Sequence, residues 1–440
     1  MRFEIYDLRF VRYMKRILII AMVSVWAWTL QAQSVTLDDC RQWAKANYPT
    51  VRQYELVQKS EQYSLSNAAR AWIPQVRLSA QATWQTDAAS FPSQLSGLLE
   101  QMGTEIKGIC QDQYKLALDL QQNLWDGGKS VADKKIAQAQ AQADRLSADV
   151  DLYALESRVD NLYFGVLLLE GQMEQLDKRI ALLTENLRRC RVMAENDVLL
   201  QSDVDAVEVE VLTAGQRREQ MRCSMEAYRE MLSLLTGKDL SQAPLTMPAE
   251  QEVTLSAESN RPELQLLSAR AGILQAQERA VKVASMPQFA LFAQGWYGYP
   301  GLNMFENMMN AKWSLNAIVG VRMQWNIGAY YTQSNRLNQL RVAQQQVAVQ
   351  RDVFTFNNNM EQTQENSEII RLRRALQDDA RIIELRQSVR EAAETKHRNG
   401  TIGTTELLQV ITDESSAQSA QTLHQIELLK KTYELKHTIN

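Results

Sequence analysis

The sequence predicts a mixed α/β membrane protein, with long α-helical hairpins present twice in tandem and four β-strands long enough to cross a bilayer. Three observations lead there. In 313-WSLNAIVGVRMQWNIG-328, Trp313, Leu315, Ala317, Val319, Val321, Met323 and Trp325 occupy alternate positions, broken only by Ile318. Period 2 puts them on one face of a strand. Elsewhere, Leu169, Met173, Leu176, Ile180, Leu183 and Leu187 step by four and three, the 3.5-residue period of a coiled-coil seam. Third, Pro49 and Pro74 lie 25 residues apart, as do Pro262 and Pro287, and 125-WDGG-128 returns as 325-WNIG-328. The turn 196-NDVLLQSDV-204 returns as 399-NGTIGTTEL-407.

At the start of the chain, 17-ILIIAMVSVWAWTL-30 follows Arg9, Arg12, Lys15 and Arg16. Fourteen apolar residues are short for a membrane helix and suit the core of an export signal. Residues 1–33 are therefore read as a signal peptide, with 1–13 as an upstream extension if Met14 is the start. An uncleaved anchor is the alternative. The four cysteines (Cys40, Cys110, Cys190 and Cys223) match no metal motif and no small-domain disulfide framework, and read as packing residues or free thiols.

The first repeat runs over 34–236, with strands at about 72–86 and 113–125 and helices at about 129–196 and 201–236. In 76-VRLSAQATWQ-85, Val76, Leu78, Ala80, Ala82 and Trp84 alternate with polar residues. In 114-YKLALDLQ-121 the alternation holds and then slips before Trp125, which predicts a bulge or strand end around 121–123. Residues 237–260 lose the heptad, gain proline and read as a connecting segment. The second repeat runs over 261–440, with strands at about 287–299 and 313–326 and helices at about 329–398 and 403–437. Phe292 and Trp296 fall on the face opposite Phe289, Leu291 and Tyr297, with no sequence-level reason.

Twelve strand residues rise roughly 40 Å, which a tilt of 35–45° reduces to about 30 Å. That matches an outer-membrane strand, and Trp72, Trp84, Trp313, Trp325 and Tyr297 sit where two interfacial aromatic girdles would be. A large soluble sandwich is the alternative for the strands alone, and the extent of helix argues against it. Four strands cannot close a barrel, and an open edge in lipid leaves backbone groups unpaired, so several chains must pool their strands.

The chain resembles the TolC-like outer-membrane efflux protein family. The residues that carry the resemblance are 35-VTLDDCRQWAKANYP-49, 71-AWIPQV-76, 125-WDGGKSVADKKIAQAQ-140, 159-VDNLYFGVLL-168 and the duplicated turns. The resemblance implies a homotrimer whose twelve strands form one barrel in the outer membrane of a Gram-negative bacterium, continued through the periplasm by twelve long helices. It implies an exit duct for drugs or secreted proteins, served by a periplasmic adaptor and an inner-membrane transporter, with no cofactor or metal. The family's periplasmic gate maps onto Glu406 and Gln409, its latching tyrosine and arginine onto His397 and Ile402, and its first-copy acid onto Asp203. Gln409, His397 and Ile402 depart from the family pattern. Asp203 and Glu406 equally suit the first turn of a helix, where acids complement the dipole.

Two other classes compete. A periplasmic coiled-coil adaptor would have one hairpin and small β domains, against two hairpins and four amphipathic strands here. An enzyme would need a catalytic constellation, and the sequence offers none. His397, His424 and His437 have no metal spacing, and a net charge of −4 gives no footprint for nucleic acid. The loop 86–112, with Leu95, Leu98, Leu99, Met102 and Ile106, predicts a short amphipathic helix. The Arg-rich stretch 371–391 reads as a salt-bridged helix face.

Overall fold

Proline and glycine punctuate this chain sparsely, and its secondary structure is correspondingly long. The computed structural model describes residues 34–103, 108–251, 253 and 259–440. The signal segment expected at 1–33 and Ile106 lie outside the described residues. In chain order the elements are α1 (Leu37–Asn47), α2 (Val51–Arg70), β1 (Gln75–Trp84), α3 (Ser93–Gln101) and β2 (Asp112–Trp125). Then come α4 (Lys129–Glu195), α5 (Gln201–Thr236), α6 (Pro262–Val283), β3 (Gln288–Tyr299), α7 (Met304–Met309), β4 (Ser314–Gln324), α8 (Ala329–Arg398) and α9 (Thr404–Ile439). The ladders start after Pro74 and Pro287 and stop short of Trp313 and Trp325, which flank β4 rather than belong to it. No helix among the described residues is long and apolar enough to cross a membrane.

Two compact units form, and neither is a sequence half. One gathers the residues up to Gln53, Ala148–Pro262 and Val353–Asn440; the other gathers Tyr54–Ser147 and Glu263–Asp352. Each takes segments from both halves because α4 and α8 run through both units.

The sheet unit holds one antiparallel sheet in the order β1-β2-β3-β4. Its registers set Leu78 opposite Leu118, Leu116 opposite Tyr297 and Ala293 opposite Val319, so one face is apolar across all four strands. The register shifts between Asn123 and Trp125. This bulge lies one or two residues beyond the expected place, and it turns Trp125 onto the apolar face beside Phe289, at 6.0 Å between ring centroids. Beyond β2, the Asp126 carboxylate accepts from the backbone N–H of Gly128 (2.9 Å) and of Ser130 (2.7 Å), which satisfies the first donors of α4.

In the helical unit, Thr36 caps α1 in a reciprocal box with Asp39. That places Leu37, Cys40 and Ala44 in a cluster with Leu155, Val159, Tyr163, Phe164, Leu232 and Tyr433. The connecting segment is bound to this cluster. Val35 bridges Leu245 in parallel, and Tyr163 Oη lies 2.8 Å from the Val35 carbonyl and 2.7 Å from that of Thr246. Arg229 donates to the carbonyls of Leu240 (2.9 Å) and Ala243 (2.7 Å) and pairs with Glu170. The coiled-coil seam is buried, but it is shared between the hairpins. Leu176 and Leu183 of α4 and Ala214 of α5 pack with Ala393 of α8 and with Leu407 and Ile411 of α9. Gly171 reflects this sharing, because a Cβ there would lie 2.6 Å from Thr422 Cγ2 of α9.

The two hairpin turns have the same backbone plan. The N–H of Val198 reaches the Met193 carbonyl at 2.9 Å, and that of Thr401 reaches Lys396 at 2.9 Å. Between them sit Asp197 at φ 55° and Gly400 at φ 71°, both left-handed. Asp carries a Cβ penalty in that conformation and Gly does not. Asp197→Gly is therefore expected to stabilise the protein by about 0.5 kcal/mol, read as a raised denaturation midpoint. A lower midpoint would mean that the carboxylate makes a contact of its own at the turn.

Candidate functional site: the polar sheet face and the hairpin turns

The two faces of the sheet differ sharply. On the apolar face Leu315, Val319, Leu78 and Val321 are more than 60% exposed. Among the described residues no hydrophobic cluster covers them. The girdle candidates divide between its ends. Tyr297 and Trp313 are 5.4 Å apart, with Tyr114 stacked on Trp313 at 5.7 Å, and the register puts Trp84 at this same end. At the other end stand Trp125, Phe289 and Trp325, whose Nε1 donates to the Ser285 carbonyl at 3.0 Å. Trp72 precedes β1 on that side, 39% exposed. Tyr114, Trp125 and Phe289 belong with these aromatics and are absent from the sequence-derived set, because their strands lack a clean Trp–Trp spacing.

The polar face explains the two anomalous aromatics. Lys115 Nζ lies 4.5 Å from the centroid of the Trp296 ring, and Arg322 Cζ lies 4.6 Å from that of Phe292. Each ring comes from β3 and each cation from a neighbouring strand. Lys115 also donates to Gln294 Oε1 at 3.2 Å, and Gln294 in turn donates to Asp119.

The hairpin-turn candidates are placed as follows. Glu406 lies in the first turn of α9 and Asp203 in that of α5; among the described residues neither has an ion-pair partner. Gln409 donates to Asp413 Oδ1 at 2.9 Å, and Asp413 pairs with Arg386 at 2.7 Å. His397 Nε2 is 3.4 Å from Thr404 Oγ1, across the turn, and Ile402 packs on the cluster of Leu407 and Ile411. Asp203 is near Cys190, whose thiol is pushed up chiefly by burial and further by that charge. All four cysteines are free; Cys40, buried, has its pKa pushed up to about 12 by desolvation.

Three groups of ionic residues stand out, of which only the first, around Arg390, falls in a stretch the sequence reads as salt-bridged. Arg390 of α8 joins Glu394 (2.5 Å) and Glu414 of α9, which is 7% exposed. Arg41 makes a bidentate pair with Asp160, at 2.7 and 2.5 Å. Within the Arg-rich stretch, Arg371, Arg373, Arg381 and Arg386 each have a carboxylate partner. The third group lines a cavity of about 300 Å³ that includes Asp160, Glu361, Glu365, Lys431, Glu434 and His437.

Glu365 is 7% exposed and its Oε2 has no hydrogen-bond partner among the described residues. Burial pushes its pKa up to about 7, against a hydrogen bond from Thr438, and the charges of Glu361 and Glu434 push the same way as burial. A carboxyl whose folded pKa exceeds its unfolded value binds more protons folded than unfolded, so stability falls as pH rises between the two. Glu365→Gln is expected to match wild type at pH 4 and to be about 2 kcal/mol more stable at pH 8. Thermal unfolding in detergent at the two pH values checks this; an equal gain at both would remove the ionisation as its cause.

No protein-family model matches the chain, and no curated protein matches it. Solved structures do. The outer-membrane protein VceC of Vibrio cholerae superposes with a TM-score of 0.67 at 14% identity, covering 92% of this chain and 95% of that one. The CmeC outer-membrane channel of Campylobacter jejuni gives 0.67 at 13%, covering 92% and 85%. The open state of the MtrE outer-membrane channel of Neisseria gonorrhoeae gives 0.63 at 13%, covering 92% and 88%. At such identities the likeness establishes the fold.

Proposed function

We propose, from the TolC-like outer-membrane channel fold of this chain, that it is a passive exit conduit in the outer membrane of a Gram-negative bacterium. It is read as the outer component of a tripartite efflux pump or type I secretion system. The observation that carries this is the sheet. Its apolar face is exposed on β1, β2 and β4 and half-buried along most of β3, it is bounded at both ends by aromatics, and its other face is polar. A soluble protein would cover such a face, whereas lipid covers it in a membrane barrel. Trp72, Trp84, Trp313, Trp325 and Tyr297 then act as interfacial anchors.

The sheet has β1 and β4 at its two ends, each with one unpaired edge. Edges are not tolerated in hydrocarbon, so β4 of one copy pairs with β1 of the next. Three copies give a twelve-stranded barrel. The long helices form the periplasmic part, the duplicated turns meet a periplasmic adaptor, and an inner-membrane transporter supplies the energy. The common hydrogen-bond plan of the turns supports a tandem duplication. A free-standing adaptor role is not favoured, because it leaves the exposed apolar sheet without a partner. Glu406, with Asp203, Gln409, His397 and Ile402 around the turns, is assigned to the periplasmic entrance.

Single-channel recording of the purified protein in planar bilayers tests this reading. Discrete conductance steps are expected, with Glu406→Gln lowering cation preference relative to wild type. A detergent-extracted oligomer that inserts and never conducts would sink the conduit; conductance indifferent to Glu406→Gln would remove only the entrance assignment.

A further inference from the structure

Charged residues in the four strands are distributed unevenly. Apart from Asp112, the first residue of β2, every charge in the strands is on the polar face: Arg77, Lys115, Asp119 and Arg322. Three cations stand against one carboxylate, although the whole chain is acidic, with a net charge of −4. The single acid is already engaged. Asp119 stands opposite Arg77 in the β1–β2 register but makes no ion pair with it among the described residues, and accepts instead from Gln294, which holds Lys115.

Arg322 has no carboxylate partner among the described residues and lies over Phe292. Phe292 fits there because Gly320 faces it across the β3–β4 register, and a Cβ at 320 would come within 3.0 Å of the ring. The ring supports the guanidinium without neutralising it, so its field stays directed at the space in front of the sheet. Trp296 supports Lys115 in the same way.

We propose that the polar face of the sheet makes the membrane section of the conduit an anion-favouring passage, with Arg322 and Arg77 as its principal charges and Phe292 as the positioning residue for Arg322. This rests on the conduit reading above and names the charge class of what passes: small anions and anionic solutes over cations. Each copy adds a surplus of two positive charges, and a low-dielectric wall focuses their field into the lumen. The expected sign is opposite to that of Glu406 at the helical turns.

The experiment is the reversal potential of open channels under a KCl gradient, for wild type, Arg322→Gln, Arg77→Gln and the double variant. The chloride-to-potassium permeability ratio is expected to fall by at least two-fold in the double variant. Arg322→Lys, which keeps the charge, should retain the wild-type ratio, and so should Arg373→Gln on the helical unit. A conducting double variant with an unchanged ratio overturns this proposal and leaves the conduit standing. If the double variant fails to assemble, Arg322→Gln alone decides by the same ratio. Absence of conduction in the wild type overturns the conduit and this proposal together.

Discussion

Arg390→Met is expected to destabilise the protein by about 3 kcal/mol, because it leaves Glu414 buried without its cation. The Glu394 carboxylate loses the same partner, so two like charges then face each other between α8 and α9. A buried ion pair contributes little over a well-packed apolar pair, and removing one member is what costs most. Arg390→Met combined with Glu414→Leu should therefore recover at least half of the loss. Denaturant midpoints of the two single variants and the double variant decide it. Additive losses would mean that the two side chains do not act as a pair.

Val319→Arg has the larger consequence for assembly. Val319 is at the middle of β4, on the exposed apolar face, 70% exposed and opposite Ala293. If lipid covers that face, an arginine near the bilayer midplane costs roughly 2–4 kcal/mol per chain. Repeated in every copy of an oligomer, this is expected to abolish insertion. Ser79→Arg, on the polar face of β1 opposite Ala117, should insert normally. The amount of folded oligomer in outer-membrane fractions compares the two. Equal yields would show that the apolar face is not in lipid.

Much of this architecture can be read in the sequence where one side chain's period reports its own environment. The alternation in 313–326 gives β4 its faces, and the 3.5-residue step from Leu169 to Leu187 gives α4 its seam. What escapes depends on neighbours that register alone supplies. Phe292 and Trp296 look misplaced in β3 until Arg322 and Lys115 are set beside them from β4 and β2. Glu361 and Glu365, one turn apart on α8, look like an ordinary solvated acidic face. Only the convergence of α4, α8 and α9 turns Glu365 inward and strips it of water. The shared seam escapes for a related reason. Heptads mark which face is buried, and say nothing of whether α5 or α9 buries it.

The clasp around Tyr163 has a consequence for the order of events in biogenesis. Its cluster joins Val35 and Leu37 near the beginning of the described chain, Leu232 and Leu240 in the middle, and Ile426 and Tyr433 close to the end. Contacts separated by so much sequence close large loops before they stabilise anything. The helical unit therefore cannot mature progressively as the polypeptide is made. Val35 and the connecting segment stay without their full packing until α9 arrives, some four hundred residues later. Until then the exposed strands are open to wrong pairing. If the protein is exported as proposed, holding chaperones at its destination become a requirement of the topology itself, and loss of α9 alone would strand the first-made residues in an unfinished core.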